Sequence, residues 1–185
     1  MSEKTLIHLV RHGIVHNPDG IYYGRLQGFR LGKKGFEHAK AAAMVLNQFP
    51  IAAIYSSPME RAIETAEEIQ RKLDGLKIQR SELLSEAYTP FDGQPIIEIE
   101  KRNWDVYTGT NPPYEQPMDI LARVNKFIEK IRREHNGRQV AAATHGDVIA
   151  FMILYAMGKP ITSNVSTNVC VHVGSINIGN IISTN

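Results

Sequence analysis

An α/β fold is what this sequence predicts: a three-layer sandwich with a mostly parallel central sheet flanked by helices and a C-terminal edge hairpin. Three observations carry that expectation. Short aliphatic runs alternate with helical stretches along most of the chain, the order that builds strand–helix–strand units and parallel sheets. Two of the runs, "TLIHLV" and "QVAAAT", are short and aliphatic, as buried strands are. The tail "NVCVHVGSINIGNIIS" instead alternates with period two around a Gly-Ser pair, which predicts a hairpin at the sheet edge. At 185 residues, with 43% hydrophobic and 22% charged residues, the chain is expected to form one domain over residues 1–185. A chain of that size buries about 70% of its unfolded surface.

The elements follow in order. "TLIHLV" (Thr5–Val10) is the first strand, and the polar, glycine-containing stretch "HNPDGIYYGRLQGFRLGKKG" after it is a loop. At about 20 residues it is long enough to be functional. "FEHAKAAAMVLNQF" is alanine-rich with helical apolar spacing, and "IAAIYSS" (Ile51–Ser57) is the second strand. The next helix, "MERAIETAEEIQRKL", has start signals: Ser57 as N-cap, Pro58 at the first position and Glu60 completing a capping box. "KIQRSELLSEAY" is expected to hold a third strand. The proline-rich stretch up to Pro117 is irregular with one short helix, and "MDILARVNKFIEKIRRE" is an amphipathic helix. "QVAAATHG" repeats the opening pattern, a strand ending on histidine and glycine, and "DVIAFMILYAM" is a helix closed by Gly158 and Pro160.

Composition excludes several function classes. Net charge is +2 and the basic pairs are scattered, which argues against a nucleic-acid partner. Cys170 is the only cysteine, so there is no internal disulfide and no paired-cysteine motif, and a small buried thiol is expected there. No apolar stretch approaches the roughly 20 residues that span a bilayer, so no membrane partner is expected. "MSEKT" lacks the apolar core of a secretory signal, which predicts a cytoplasmic protein.

In open α/β sheets, ligands bind beyond the carboxyl ends of the strands. Arg11 and His12 follow the first strand, His145 follows the fourth, and Arg61 lies one turn past the second. An arginine in the first turn of a helix opposes the helix dipole, so Arg61 calls for an anionic partner. Two guanidiniums can fork around phosphate oxygens, and a neutral imidazole can attack phosphorus if its other nitrogen donates to a carbonyl. Gly13 and Gly146 are expected to let the backbone approach closely. His8, His12 and His16 recur at four-residue intervals, but strand and turn surroundings make the spacing accidental, and no metal or other cofactor is expected.

"VRHG", "SSPMERAIETAEEI" and "THGDVI" resemble, in order and spacing, the signatures of the histidine phosphatase superfamily, most closely its phosphoglycerate mutase-like branch. The resemblance spans nearly the whole chain. It implies that His12 is the nucleophile, forming a phosphohistidine, and that Arg11, Arg61 and His145 hold the phosphoryl group. Asn17 falls where the family often places a phosphate contact, although it could equally cap a turn. A leaving alkoxide needs a proton, and Glu86 resembles the family's acid, with Glu82 and Asp92 as rivals. Departures are apolar Ile14 after "RHG", the sequence "GFRLGKKG" in the loop, and Asp147 where a second glycine is frequent.

The chain has "EAYT" where mutases of the branch carry a longer motif beginning Glu-Arg-His-Tyr, and it has no comparable insertion. The resemblance therefore implies a metal-independent phosphatase of a small phosphomonoester, with mutase-type transfer as the alternative. A non-catalytic module on the same fold is the reading from another class; retention of His12 speaks against it. Tyr22, Tyr23, Gly24, Arg25, Arg30 and Lys33 are candidates to close over a substrate, and Trp104 either stacks on it or packs in the core. The substrate and the oligomeric state stay open, a homodimer among the options.

Overall fold

The computed structural model describes residues 4–160 and 173–177. Five strands form one sheet in the order β3-β2-β4-β1-β5: β1 (Leu6–Arg11), β2 (Ile51–Ser56), β3 (Ile78–Arg80), β4 (Gln139–Thr144) and β5 (Val173–Asn177). The first four are parallel, and β5 pairs antiparallel with β1. The helices are α1 (Lys33–Leu46), α2 (Glu60–Lys72), α3 (Ile96–Lys101), α4 (Pro117–Glu134) and α5 (Gly146–Ala156). The α/β sandwich predicted from the sequence is therefore the fold observed.

Both faces of the sheet are covered, so the central strands must be apolar on both sides. Ile7, Leu9, Tyr55, Val140 and Ala142 point into a core shared with Val124, Phe127 and Ile131 of α4 and with Phe151 of α5. The alternate residues Val10, Ile54, Ala141 and Ala143 pack on the opposite face against Ala42, Ala43 and Leu46 of α1 and Ala66 and Ile69 of α2. The alanines bring the helices close, because a small side chain lets a helix seat low on a sheet.

Two expectations are corrected here. Gly174 and Ser175, expected to form the hairpin turn, lie inside β5 opposite Leu9 and His8. The open side of β1 presents a row of backbone donors and acceptors that such a pair completes as well as any residue. The rest of that run, Cys170 included, lies outside the described residues. The capping box at Ser57 does not form either: α2 begins at Glu60 with Met59 as its N-cap and no side-chain cap. Ser57 Oγ has another partner, described below, and the Glu60 carboxylate accepts from the backbone N–H of Gly28.

Gly13 allows a close backbone approach, and the segment it meets is the start of α1. A Cβ there would lie 2.7 Å from Gly35 Cα and closer still to its carbonyl oxygen. The end of β1 thus touches the first turn of α1 backbone to backbone. Gly13→Ala is expected to cost about 2 kcal/mol, lowering the melting temperature by roughly 4–8 °C. Equal melting temperatures for variant and wild type would show that the two segments can part freely.

Candidate active site

Parallel pairing carries the chemistry to one place. Arg11 of β1 lies opposite Thr144 of β4, and the His12 N–H donates to the Thr144 carbonyl at 3.0 Å. His12 and His145 therefore leave adjacent strands side by side, their rings 5.2 Å apart. From the other side of β4, the Ser57 N–H donates to the Ala143 carbonyl. The ends of β1 and β4 open onto a cavity of about 380 Å³ whose lining includes Arg11, His12, Tyr22, Tyr23, Glu86 and Asp147.

His12 presents a neutral imidazole to the cavity. Its Nδ1–H donates to the Gly13 carbonyl at 2.8 Å, which leaves the Nε2 lone pair unprotonated. Burial first, and then the Arg61 charge, push its pKa down to about 3; the Gly13 carbonyl pulls the other way, and Arg11 adds a smaller push downward. It keeps 8% exposure while Arg61 and His145 have none, so a substrate in the cavity meets His12 first.

Arg61 enters from the first turn of α2. Its Nη2 donates to the Gly24 carbonyl at 2.7 Å and to His145 Nδ1 at 3.3 Å, and stands 3.7 Å from Glu86 Oε2. Its Nε is buried and has no hydrogen-bond partner among the described residues. A buried guanidinium with a donor to spare is a binding site for an anion. Since Nδ1 accepts, His145 donates from Nε2 to Ser57 Oγ at 2.7 Å, and burial holds its pKa well below the ordinary histidine value.

Glu86 follows the short 3-10 turn Glu82–Leu84. Its Oε2 lies 3.4 Å from His145 Nδ1, and its Oε1 accepts the Ala87 N–H at 2.9 Å. Burial, and next the neighbouring Asp147 carboxylate, raise its pKa to about 7, against the pull of Arg61 and Arg11. A carboxyl protonated near neutrality beside a neutral imidazole is suited to general-acid work. Its rivals stand elsewhere. Glu82 accepts from Ser85 Oγ, and Asp92 accepts the Arg25 N–H at 2.9 Å while packing under Gly24. At Gly24, where φ is +33°, a Cβ would collide with that carboxylate.

The remaining sequence candidates divide. Arg11 lines the cavity with its guanidinium against Gly146. The Tyr23 ring lies 4.7 Å from the Arg61 guanidinium and stacks on Phe29, and Tyr22 and Trp104 are on the wall. Three others turn to structure. Arg25 donates to the Glu86 carbonyl at 2.7 Å and pairs with Glu115. Arg30 pairs with Glu64, and Lys33 opens α1. Asn17 bonds both backbone polar groups of Ile21 through its side-chain amide, which closes a turn. His8 is buried with its Nε2 at 2.8 Å from Gln139 Oε1, and His16 is exposed, so the spaced histidines do not converge.

Several supporting residues went unread. Ser57, expected as a helix cap, orients His145. Thr144 Oγ1 donates to the Leu84 carbonyl and so ties β4 to the Glu86 segment. Arg123 and Arg25 both donate to the Glu86 carbonyl while sharing the Glu115 carboxylate between them. Apart from Arg123 and Glu115, which lie 8 residues apart, those contacts join positions 37 to 90 residues apart in the chain, and no local pattern signals them. One ligand atom each from His12, Glu86 and His145 lie within 4.8 Å of one another, close enough to hold a metal ion. The Arg61 charge beside two of them sets the space against a cation and toward an anion.

The family profile of the histidine phosphatase superfamily, branch 1, matches residues 7–181. An uncharacterized protein of Mycobacterium tuberculosis is 35% identical over 86% of this chain and 82% of its own. Phosphoserine phosphatase 1 of Hydrogenobacter thermophilus is 29% identical over 74% of this chain and 69% of its own. Among solved structures, Bacillus stearothermophilus YhfR superposes with a TM-score of 0.80 over 94% of this chain and 91% of its own, at 24% identity. A mycobacterial glucosyl-3-phosphoglycerate phosphatase does so with a TM-score of 0.74 over 87% and 85%, also at 24% identity. At such identities these two likenesses are of fold alone. No helix among the described residues is long and apolar enough to cross a membrane.

Proposed function

The chain belongs to the histidine phosphatase superfamily, and we propose that it hydrolyses a small phosphomonoester through a phosphohistidine on His12, without a metal. One observation carries this reading: a neutral imidazole, with Nδ1 fixed by Gly13, shares its pocket with a buried guanidinium that keeps a free donor. The similarity to a phosphoserine phosphatase supports hydrolysis as the reaction.

In the first step His12 Nε2 attacks phosphorus and the bond to the ester oxygen breaks. Arg61, Arg11 and the donors around them hold the equatorial oxygens, where charge stabilisation does most of the work in phosphoryl transfer. Protonated Glu86 gives its proton to the leaving alkoxide. In the second step the Glu86 carboxylate takes a proton from water, which attacks phosphorus and displaces His12. Inorganic phosphate leaves, and both groups return to their starting states.

Glu86 provides the test of this sequence. Glu86→Gln is expected to lower kcat/KM for an alkyl phosphate by roughly 10²–10³-fold, and much less for p-nitrophenyl phosphate, whose leaving group needs no proton. Equal losses on both esters would remove Glu86 from the role of acid. The pH profile should agree. His12 is neutral above about 3 and Glu86 is protonated below about 7, so kcat/KM for an alkyl ester falls as pH rises through 7. That alkaline limb should be missing from Glu86→Gln, and its persistence would assign the limb to another group.

A further inference from the structure

Asp147 opens α5 directly after the glycine that faces Arg11, and it lines the catalytic cavity. The Tyr107 hydroxyl donates to its Oδ2 at 2.5 Å, which fixes the carboxylate at the wall. Among the described residues, no nitrogen of a Lys, Arg or His side chain stands within the 4.0 Å of an ion pair with it. Charge counting makes this notable. A phosphoryl dianion is balanced by Arg11 and Arg61, His12 and His145 are neutral, and Glu86 is neutral while it acts as an acid. Burial raises the Asp147 pKa, against the Tyr107 hydrogen bond and the Arg11 charge; with Arg11 engaged by the phosphoryl group, the ionised Asp147 is the charge left over in a half-buried wall, where it is costly without a partner. The rest of that wall is largely apolar or aromatic: Ile21, Ile96, Val106 and the Trp104 ring, with Tyr22 and Tyr23 beside them. A carboxylate and an indole in the lining of one cavity suit a compact cation.

We infer that the alcohol portion of the substrate carries a positively charged amine, seated against Asp147 and Trp104 while the phosphoryl group lies between Arg11 and Arg61. The inference rests on the phosphatase reading and adds a substrate class to it, aminoalkyl phosphomonoesters.

The test compares three esters at about pH 6, where Glu86 is protonated: O-phosphoethanolamine, propyl phosphate, which replaces the ammonium with a methyl group, and glycerol 3-phosphate. Wild-type kcat/KM is expected to favour the amine over propyl phosphate by at least about tenfold. Asp147→Asn, which preserves shape and hydrogen bonding, is expected to bring that ratio close to one, and Asp147→Glu to restore part of it. Comparing the ratio between wild type and variant removes the intrinsic difference between the two leaving alcohols and most of any effect of the substitution on Glu86, since both are alkyl esters that need the acid. Hydrolysis of propyl phosphate as fast as of the amine overturns the inference and leaves the phosphatase reading intact. So does a preference that survives Asp147→Asn, or glycerol 3-phosphate ranking first. Failure to hydrolyse these esters and p-nitrophenyl phosphate alike overturns both.

Discussion

His12→Ala is expected to remove hydrolysis of p-nitrophenyl phosphate almost completely, by at least 10³-fold, with the wild-type activity unaffected by excess chelator. The size follows from the geometry. Among the described residues no second nucleophile stands ready to replace the imidazole: His145 has Nε2 tied to Ser57 and Nδ1 facing the Arg61 donor. Water would have to attack directly, helped only by the charge of the arginine clamp. The variant should stay folded, because the His12 ring sits at a strand end beside the cavity and outside both apolar clusters. A matching melting curve would establish that. An activity above a tenth of wild type would mean that the imidazole is not the attacking group, and sensitivity of the wild type to chelator would bring a metal into the mechanism.

Arg61→Lys should be nearly as damaging as Arg61→Ala, with each lowering kcat/KM by roughly 10²-fold or more. Lysine keeps the charge but not the fork. The guanidinium meets the Gly24 carbonyl, His145 and Glu86 at once and still has Nε to offer, and one ammonium cannot reproduce that geometry. If charge alone mattered, the lysine variant would lie close to wild type. Because Arg61 is completely buried, both variants need a melting curve beside the kinetics. Loss of activity in a protein that melts like the wild type locates the effect in the pocket.

Much of the fold was legible because the strands and helices have contrasting local patterns. The aliphatic runs ending at Arg11 and Thr144, and the periodic helices between them, appear close to where the sequence put them. The third strand was less clear because it is only three residues long and leads into a 3-10 turn. The Gly-Ser pair of β5 misled because turn composition and edge-strand composition overlap where a partner strand supplies the hydrogen bonds. In the site, strand-end positions exposed His12, Arg11 and His145, and the misfit of an arginine with its helix dipole exposed Arg61. Ser57 was only half legible: its hydroxyl accepts the Met59 N–H ahead of α2, as the turn chemistry of a serine there implies, but it also meets His145, which only the tertiary structure brings to it. The same holds for Arg25. A basic loop residue next to a catalytic strand looks like a substrate contact, yet it grips the backbone of the acid with Arg123 and Glu115.

The covalent intermediate tests the central claim most directly. Enzyme mixed with excess p-nitrophenyl phosphate can be quenched within milliseconds in base, where a phosphohistidine survives, and digested for mass spectrometry. The account predicts one added phosphoryl group on the peptide containing His12, labile to acid and absent from His12→Ala. A phosphoryl group on another residue, or steady turnover by His12→Ala with no phosphorylated peptide, would contradict it.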